Sequence, residues 1–148
     1  MNYINQIDVS LPRARVVELF DNTENLKEWM PGLVLFEIIE GQPGQPGARS
    51  KMEFQMGKRK IQMIETIISN NLPDEMEGYY ETSGVKNNIK VSFVEIEPNK
   101  TMYISESTFK LSGIMWLIGP FMKKIFMKTS QDYLERFKTF AEGRGISN

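Results

Sequence analysis

The chain has 148 residues, of which 41% are hydrophobic and 25% charged, and its formal net charge at pH 7 is −1. This length and composition predict one globular domain spanning residues 1–148. Acidic and basic residues nearly balance, which argues against nucleic acid as a partner, because binding to phosphates needs a basic excess. The sequence contains no histidine and no cysteine. Ser-His-Asp and Cys-His catalysis is therefore excluded, and we expect neither a metal nor a cofactor.

The sequence offers no segment that predicts secretion or a membrane span. The N-terminal residues alternate between apolar and polar side chains and contain no apolar run of signal-peptide length. The most apolar window, residues 114–122, is interrupted by Gly119 and Pro120 and is followed by Lys123 and Lys124. A window this short does not cross a bilayer, so we expect no stable membrane insertion and a cytoplasmic protein.

The first part of the chain predicts one strand and two short helices. Residues 3–9 alternate as a strand does, and Pro12 suits the first turn of a helix, where its missing N–H is not needed. The segment 21–24 begins a second helix, because polar capping residues are followed there by an acid in the first turn. Pro31 ends this helix near Trp29.

The middle of the chain predicts six strands joined by turns of Gly, Pro and Asn, with the segment GQPGQPG at 41–47 as a hairpin tip. The predicted strands are residues 34–40, 50–56, 59–69, 75–82, 88–97 and 101–111. Short turns make consecutive strands antiparallel neighbours. A sheet of seven such strands curls, and it needs a large apolar body against its concave face.

That body is a long helix predicted over residues 113–142. Its apolar stripe, which is predicted to face the sheet, contains Ile118, Met122, Ile125, Tyr133 and Phe140. Phe137 lies at the margin of the stripe, and the small Thr129 lies in its middle. Gly119 and Pro120 predict a break, with the main helix beginning at Pro120. Because a helix across a curved sheet rarely fills the concavity, we expect a cavity between the two.

Several turn and packing positions occur together in an order that is specific for one fold. They are Pro12, Val16, Asp21, Leu26, Trp29 and Pro31, the GQPGQPG hairpin, Leu72-Pro73, Thr101 and the closing segment LERFKTFAE. In this order the chain resembles the START-like helix-grip superfamily (SRPBCC), in particular its polyketide cyclase/dehydrase-type bacterial branch. The resemblance implies an α+β fold in which a curved seven-stranded antiparallel sheet wraps around a long C-terminal helix, with two short helices after strand 1. It also implies a cavity for an apolar or amphipathic molecule, but it transfers no catalytic residue.

Three side chains are candidates for acid–base chemistry in such a cavity. Glu65 lies between apolar residues and would have a raised pKa if it faced inward. The alternation of its strand fits either face, and we weigh the exposed orientation of Glu65 above the buried one. Glu106 lies on the face opposite to Tyr103 and Ser105, which we favour as the inner face, so we expect Glu106 outside. The hydroxyl of Tyr133 either orients a ligand or satisfies a buried carbonyl.

The lining of the pocket is predicted from the inner faces of the strands and from the helical stripe. It comprises Trp29, Phe54, Met63, Tyr80, Phe93, Tyr103, Met122, Ile125, Thr129 and Tyr133. The 10 methionines of the chain suit an adaptable apolar cavity as well as an ordinary core. We expect a small apolar ligand as the partner, and the sequence leaves a homodimer open.

These observations support three alternative functions. The first is binding of a small hydrophobic or amphipathic molecule, such as a lipid, a quinone or a polyketide-like compound. The second is a metal-free cyclase, dehydratase or aromatase reaction with a buried Glu or Tyr as general acid or base. The third is contact with a protein or a membrane through residues 113–128, where apolar side chains and three lysines lie together. The lack of His and Cys favours binding over catalysis.

Overall fold

The chain folds into strands and helices in the predicted order over residues 1–146, which the computed structural model describes. Residues 147 and 148, the end of the predicted domain range, lie outside these residues. The strands are β1 (Asn2–Val9), β2 (Leu33–Glu40), β3 (Arg49–Met56), β4 (Arg59–Asn71), β5 (Glu75–Thr82), β6 (Val85–Glu97) and β7 (Lys100–Leu111). The helices are α1 (Arg13–Asp21), α2 (Leu26–Trp29) after a 3₁₀ turn at Thr23–Asn25, and α3 (Ile114–Arg144).

The seven strands found in residues 1–146 form one antiparallel sheet with the order β1-β7-β6-β5-β4-β3-β2. Consecutive strands from β2 to β7 are hydrogen-bonded neighbours because short turns join them, whereas β1 pairs with β7 at the far edge. Helix α3 packs against β1 and β7. The predicted helix-grip architecture, a seven-stranded sheet around a long C-terminal helix, is confirmed.

Alternation along β7 defines the inner face of the sheet. Tyr103, Ser105 and Ser107 are buried, whereas Glu106 between them is exposed. The neighbouring strand β1 continues this face, because Tyr3 lies opposite Ser107 in the ladder and is also buried. This is the orientation of β7 that the sequence favours.

Helix α3 is continuous over its whole length, so the predicted break at Gly119 and Pro120 is wrong. Pro120 removes one backbone hydrogen bond, but the helix is held against the sheet on both sides of it. A Cβ on Gly119 would overlap the side chain of Leu111, which places the helix backbone close to β7. Beyond the proline, the ring of Phe126 stacks on Phe109 with 4.5 Å between the ring centres. These contacts keep the two parts of the helix in line.

The buried stripe of α3 is rotated by about one residue relative to the predicted stripe. Its buried residues are Gly119, Leu134, Phe137 and Ala141. Two members of the predicted stripe, Ile118 and Ile125, are 41% and 54% exposed, and Phe137 is fully buried rather than marginal. The prediction was wrong because apolar side chains lie on more than one side of the first half of α3, so its periodicity does not select one face.

Polar contacts attach α3 to the edge strand β1. Asn5 Nδ2 donates hydrogen bonds to the carbonyl of Met127 at 3.2 Å and to Gln131 Oε1 at 3.0 Å. The hydroxyls of Tyr3 and Ser130 share a hydrogen bond of 2.8 Å. Because these bonds are directional, they define the lateral position of the helix over the sheet.

The C-terminal half of α3 packs through an aromatic cluster against α1, α2 and the sheet. The ring centre of Phe137 lies 5.1 Å from Trp29, 5.4 Å from Tyr103 and 5.9 Å from Phe20, with the ring planes nearly perpendicular. Phe93 extends the cluster, because its ring centre is 5.1 Å from both Phe20 and Tyr103. Edge-to-face aromatic packing of this kind makes the C-terminal half the anchored half of the helix.

Candidate functional site

A cavity of about 370 Å³ lies between the sheet and α3. Strands β3 to β7 supply most of its apolar wall, and the helix closes it with Met115, Phe126, Thr129, Ser130 and Tyr133. Thr129 is also exposed to solvent, so the cavity opens to solvent beside α3. A concave site of this volume is large enough for a small organic molecule.

A second cavity of about 320 Å³ adjoins the first beside α1 and α2. It reaches the surface between Asp21 at the end of α1 and the hairpin tip at 43–45. The side chains that line both cavities are Phe20, Trp29, Met30, Tyr80, Ile89 and Val91. The two cavities are therefore adjacent compartments of the same concavity.

Glu65 and Tyr80 form a hydrogen-bonded pair on the inner face of the sheet. The two residues lie directly opposite each other in the β4–β5 ladder, so an inward Tyr80 brings Glu65 inward with it. The hydroxyl of Tyr80 donates to Glu65 Oε2 at 2.7 Å. The sequence analysis weighed the exposed orientation of Glu65 above this one, and the structure corrects it. Glu65 shares its face with Met63 and Ile67, which also line the cavities. Ile64 and Ile68 make the opposite face of β4 equally apolar, so the alternation did not select one face.

Burial raises the pKa values of Glu65 and of tyrosines in the concavity. Burial raises the pKa of Glu65 above its ordinary value of 4.5, and the hydrogen bond from Tyr80 offsets only part of this rise. Burial and the adjacent Glu65 carboxylate raise the pKa of Tyr80 well above 10.0. Burial also raises the pKa of Tyr103 and of Tyr133. The tyrosines are therefore neutral hydroxyls near pH 7, and Glu65 is a group that can take up a proton in the cavity.

Two further polar atoms in the cavity wall are buried and have no hydrogen-bond partner among the described residues. They are the donor Trp29 Nε1 and the acceptor Asn87 Oδ1. Buried polar atoms are normally paired, so each of these can serve a polar group of an incoming molecule. With the Glu65–Tyr80 pair they add a few polar contacts to an otherwise apolar wall, which is the usual composition of a small-molecule site.

The cavity walls carry few charges. Among the described residues, the first cavity has no acidic or basic side chain in its wall, and the second has Asp21 and Glu65. Over the same part of the chain, no group of three or more carboxylates is placed to hold a metal ion. Nor does any helix there combine the length and apolar character needed to cross a membrane. The walls suit an apolar ligand with few polar groups.

The structure brings most of the predicted lining residues together around the first cavity. These are Trp29, Phe54, Met63, Tyr80, Tyr103, Thr129 and Tyr133. Of the three acid–base candidates, Tyr133 lines the first cavity and Glu65 the second, whereas Glu106 lies on the outer face of the sheet and lines neither. The roles of these residues in binding or catalysis remain predictions.

Three predicted lining residues lie outside the wall of the first cavity. Phe93 is only 1% exposed and packs behind Phe20, which occupies the wall in its place. Ile125 points to solvent because of the rotation of α3 described above. Met122 is half-buried, but it also falls outside the wall.

Several wall residues were missed by sequence reasoning, and cross-strand register is the signal that identifies some of them. The tight β5–β6 turn pairs Thr82 with Val85 and thereby places Tyr80 opposite Asn87. The same row continues to Glu65 on β4 and to Phe109 on β7. Directly opposed residues of neighbouring strands point to the same side of the sheet, so one residue known to face inward shows that its whole row faces inward. The wall residues that were missed include Tyr3, Phe20, Met30, Asn87, Phe109, Met115 and Phe126.

Comparison with known proteins identifies the fold through structure rather than sequence. No protein-family model matches the chain, and no curated protein matches it in sequence. A START superfamily protein from Mycobacterium smegmatis superposes with a TM-score of 0.79 at 13% identity, covering 96% of this chain and 97% of that one. The Zhui aromatase/cyclase from a Streptomyces species superposes with a TM-score of 0.80 at 11% identity, over 97% and 94% of the two chains.

A third similar structure is that of norcoclaurine synthase from Thalictrum flavum in complex with dopamine and hydroxybenzaldehyde. It superposes with a TM-score of 0.71 at 13% identity and covers 99% of this chain and 89% of that one. At such low identities the likeness concerns the fold alone. The chain has the START-like helix-grip fold.

Proposed function

We propose that this helix-grip protein binds a small hydrophobic or amphipathic molecule in the cavity between its sheet and α3. The observation that carries the proposal is the cavity of about 370 Å³, whose wall is apolar apart from a few buried polar groups. Binding in such a site is driven by removal of apolar ligand surface from water, and the polar groups orient the ligand. A lipid, a quinone or a polyketide-like compound has the required chemistry.

The polar groups indicate which end of the ligand lies where. Glu65, Tyr80 and Asn87 occupy one row across β4, β5 and β6, and Trp29 Nε1 is a further unpaired donor in the wall. A hydroxyl or carbonyl group of the ligand placed at this row gains hydrogen bonds that it would otherwise make with water. The apolar part of the ligand then extends beneath the first half of α3, toward Phe126.

The structural neighbours support the proposal by analogy. Norcoclaurine synthase has the same fold and was solved with dopamine and hydroxybenzaldehyde, which are small aromatic molecules with polar groups. The Zhui protein, also of this fold, is an aromatase/cyclase. Because one fold can carry unrelated activities, we infer the ligand class from the cavity of this chain and not from its fold.

The proposal is tested by filling the cavity and measuring uptake of the apolar dye Nile red. Ile89 lines both compartments, so Ile89→Trp reduces the cavity volume, and we expect dye affinity to fall about tenfold or more. The matched control is Ile96→Trp, the same change on the same strand at a side chain that is 46% exposed. Equal dye affinity in the native chain and in Ile89→Trp would contradict the proposal.

A second candidate function, a cyclase or dehydratase, is favoured by one observation. Glu65 has a raised pKa and accepts a hydrogen bond from Tyr80 inside the concavity. A carboxyl group with a raised pKa is suited to donate a proton to a leaving hydroxyl or to accept one from a carbon acid. Tyr133 supplies a neutral hydroxyl on the opposite, helical wall.

The two candidate functions differ in what happens to the bound molecule. We expect Glu65→Gln and the native chain, purified from the same cells, to carry the same molecule if the protein only binds. If Glu65 is a catalytic acid or base, the variant instead accumulates an unconverted precursor, which for a dehydratase is heavier by one water. Mass spectrometry of the extracted molecules decides between these outcomes.

A further inference from the structure

Helix α3 carries a second apolar face that no other part of residues 1–146 covers. Its members recur at intervals of one helical turn along the first half of the helix and point away from the sheet. They are Ile114, Leu117, Ile118, Phe121 and Ile125, with exposures of 76%, 64%, 41%, 83% and 54%. Trp116 is also exposed, but it lies on the flank of the helix, about 140° around the axis from Phe121. A contiguous exposed apolar patch on a folded chain normally marks an interaction site, so this outer face of α3 indicates a further partner.

The outer face lies in a strongly basic part of the chain. Residues 107–131 contain four lysines and no Asp or Glu. Because the whole chain has a formal charge of −1, the rest of it carries −5. Lys124 and Lys128 are exposed and follow Phe121 and Ile125 by about one helical turn, so positive charge borders the apolar side chains. The partner is therefore apolar and negatively charged.

We propose that the outer face of α3 docks on the surface of an anionic lipid bilayer. The helix lies in the plane of the interface, its exposed apolar side chains enter the boundary between headgroups and acyl chains, and its lysines contact lipid phosphates.

A second copy of the chain is a less suitable occupant. In a two-fold contact the outer faces of both copies meet, which brings two segments with four lysines each and no acid close together. Such like-charge contacts oppose association unless an acid is placed between them. The nearest acid beyond the segment on the same helix, Asp132, already pairs with Arg136 at 2.8 Å. A bilayer of anionic lipids instead neutralises every lysine.

Docking in this orientation places the ligand cavity next to the bilayer. The side of α3 opposite the outer face lines the cavity through Met115 and Phe126, and the cavity opens to solvent at Thr129 on the following turn. A hydrophobic ligand can then pass between bilayer and cavity with little exposure to water. Docking itself rests only on the outer face and on its lysines, and it does not require a particular ligand.

The proposal is tested by flotation of the full chain with vesicles, without added ligand. We expect binding to vesicles of phosphatidylcholine and phosphatidylglycerol in equal parts, weak binding to phosphatidylcholine alone, and loss of binding at high salt. Phe121→Glu should reduce the partition coefficient about tenfold or more, because it removes the most exposed apolar side chain of the face. The matched control is Val94→Glu on β6, where a 48% exposed apolar residue lies away from α3 and binding should be unchanged.

A second readout locates the contact on the chain. The protein has two tryptophans, of which Trp29 is buried, so Phe121→Trp in a Trp116→Phe background carries one exposed tryptophan on the outer face. A brominated phosphatidylcholine in the vesicles should quench the emission of this double variant and leave that of Trp116→Phe alone unchanged. The proposal is overturned if the native chain does not float with anionic vesicles or if Phe121→Glu floats equally well. It is also overturned if sedimentation velocity detects a dimer that Phe121→Glu dissociates while vesicle binding is absent. Uptake of Nile red by the cavity does not depend on docking, so failure of the docking proposal can be distinguished from failure of the proposed ligand binding.

Discussion

At the scale of single residues, the row of Glu65, Tyr80 and Asn87 determines the chemistry that the concavity can perform. The hydrogen bond from Tyr80 to Glu65 joins two groups whose charged forms are both disfavoured by burial. Asn87 Oδ1 adds an acceptor without a partner among the described residues. The site therefore holds one proton-exchanging group and several neutral polar groups in a largely apolar wall.

The raised pKa of Glu65 predicts how the stability of the chain depends on pH. Below the pKa of the unfolded carboxyl group, near 4.5, Glu65 is protonated in both the folded and the unfolded state, so its burial adds no charge penalty to the free energy of folding. As the pH rises toward and through the raised folded-state pKa, the unfolded state loses its proton first, so the stability of the native chain falls. We expect Glu65→Gln to unfold at a higher temperature than the native chain at pH 7 and at nearly the same temperature at pH 4.

The control for this measurement is Glu106→Gln, the same substitution at an exposed glutamate of the sheet. Its melting temperature should follow that of the native chain at both pH values. A melting temperature of Glu65→Gln that does not exceed that of the native chain at pH 7 would contradict the description of Glu65 as a carboxyl group destabilised by burial.

The inward orientation of Tyr80 could be predicted from the sequence, whereas that of Glu65 could not. Tyr79 and Tyr80 are adjacent in a strand, so one of them must face inward, and Tyr80 was included in the predicted wall. Both faces of β4 are apolar around Glu65, so alternation within β4 does not select one, whereas the pairing of Glu65 with Tyr80 in the β4–β5 ladder does. Pairing between strands, rather than the pattern within one strand, carries the missing information.

At the scale of elements, α3 consists of an anchored half and a half that covers the cavity. The anchored half is buried through Phe137 and Ala141, whereas the other half touches the sheet at Gly119 and Phe126. Glycine at 119 lets the helix backbone approach β7 closely, since a Cβ there would overlap Leu111. This close approach and the stacking of Phe126 on Phe109 together hold the first half of α3 against β7.

Paired glycine substitutions in α3 test this close approach. Gly143→Ala adds a Cβ where no atom lies within 4 Å, and we expect it to stabilise the chain by up to about 0.5–1 kcal/mol through helix propensity. Gly119→Ala has the same gain in propensity, but its Cβ forces the end of the Leu111 side chain to move, so we expect this variant to gain clearly less stability than Gly143→Ala, or none. Urea unfolding measures both values, and equal stabilisation by the two variants would contradict the close packing at Gly119.

The order of elements was predictable because turn and capping residues define it locally. Pro12, Pro31 and the glycines of the 41–47 hairpin punctuate the sequence at points where the structure has element boundaries. The rotation of α3 was not predictable, because Ile118 and Ile125 have the same apolar character as the residues that face the sheet. Contacts to distant strands, such as Phe126 with Phe109, select the buried side.

At the scale of the whole molecule, the sheet and α3 enclose a concavity that their own side chains do not fill. The aromatic cluster around Phe137 fills one end, and the two adjoining cavities of about 370 and 320 Å³ occupy the remainder. Well-packed interiors contain few voids larger than a water molecule, so an unfilled volume of this size indicates a function that needs the space. The uncovered outer face of α3 lies on the side of the helix opposite the residues that line that volume.

Native mass spectrometry of the freshly purified chain, followed by organic extraction, tests the central claim most directly. The account predicts one apolar molecule per chain, retained by the native protein and by Ile96→Trp and lost from Ile89→Trp. Extraction then identifies the ligand class, and a molecule with a hydroxyl or carbonyl group at one end would agree with the polar row at Glu65. A native chain that is empty, and that also takes up no Nile red, would contradict the proposal that this cavity is a binding site.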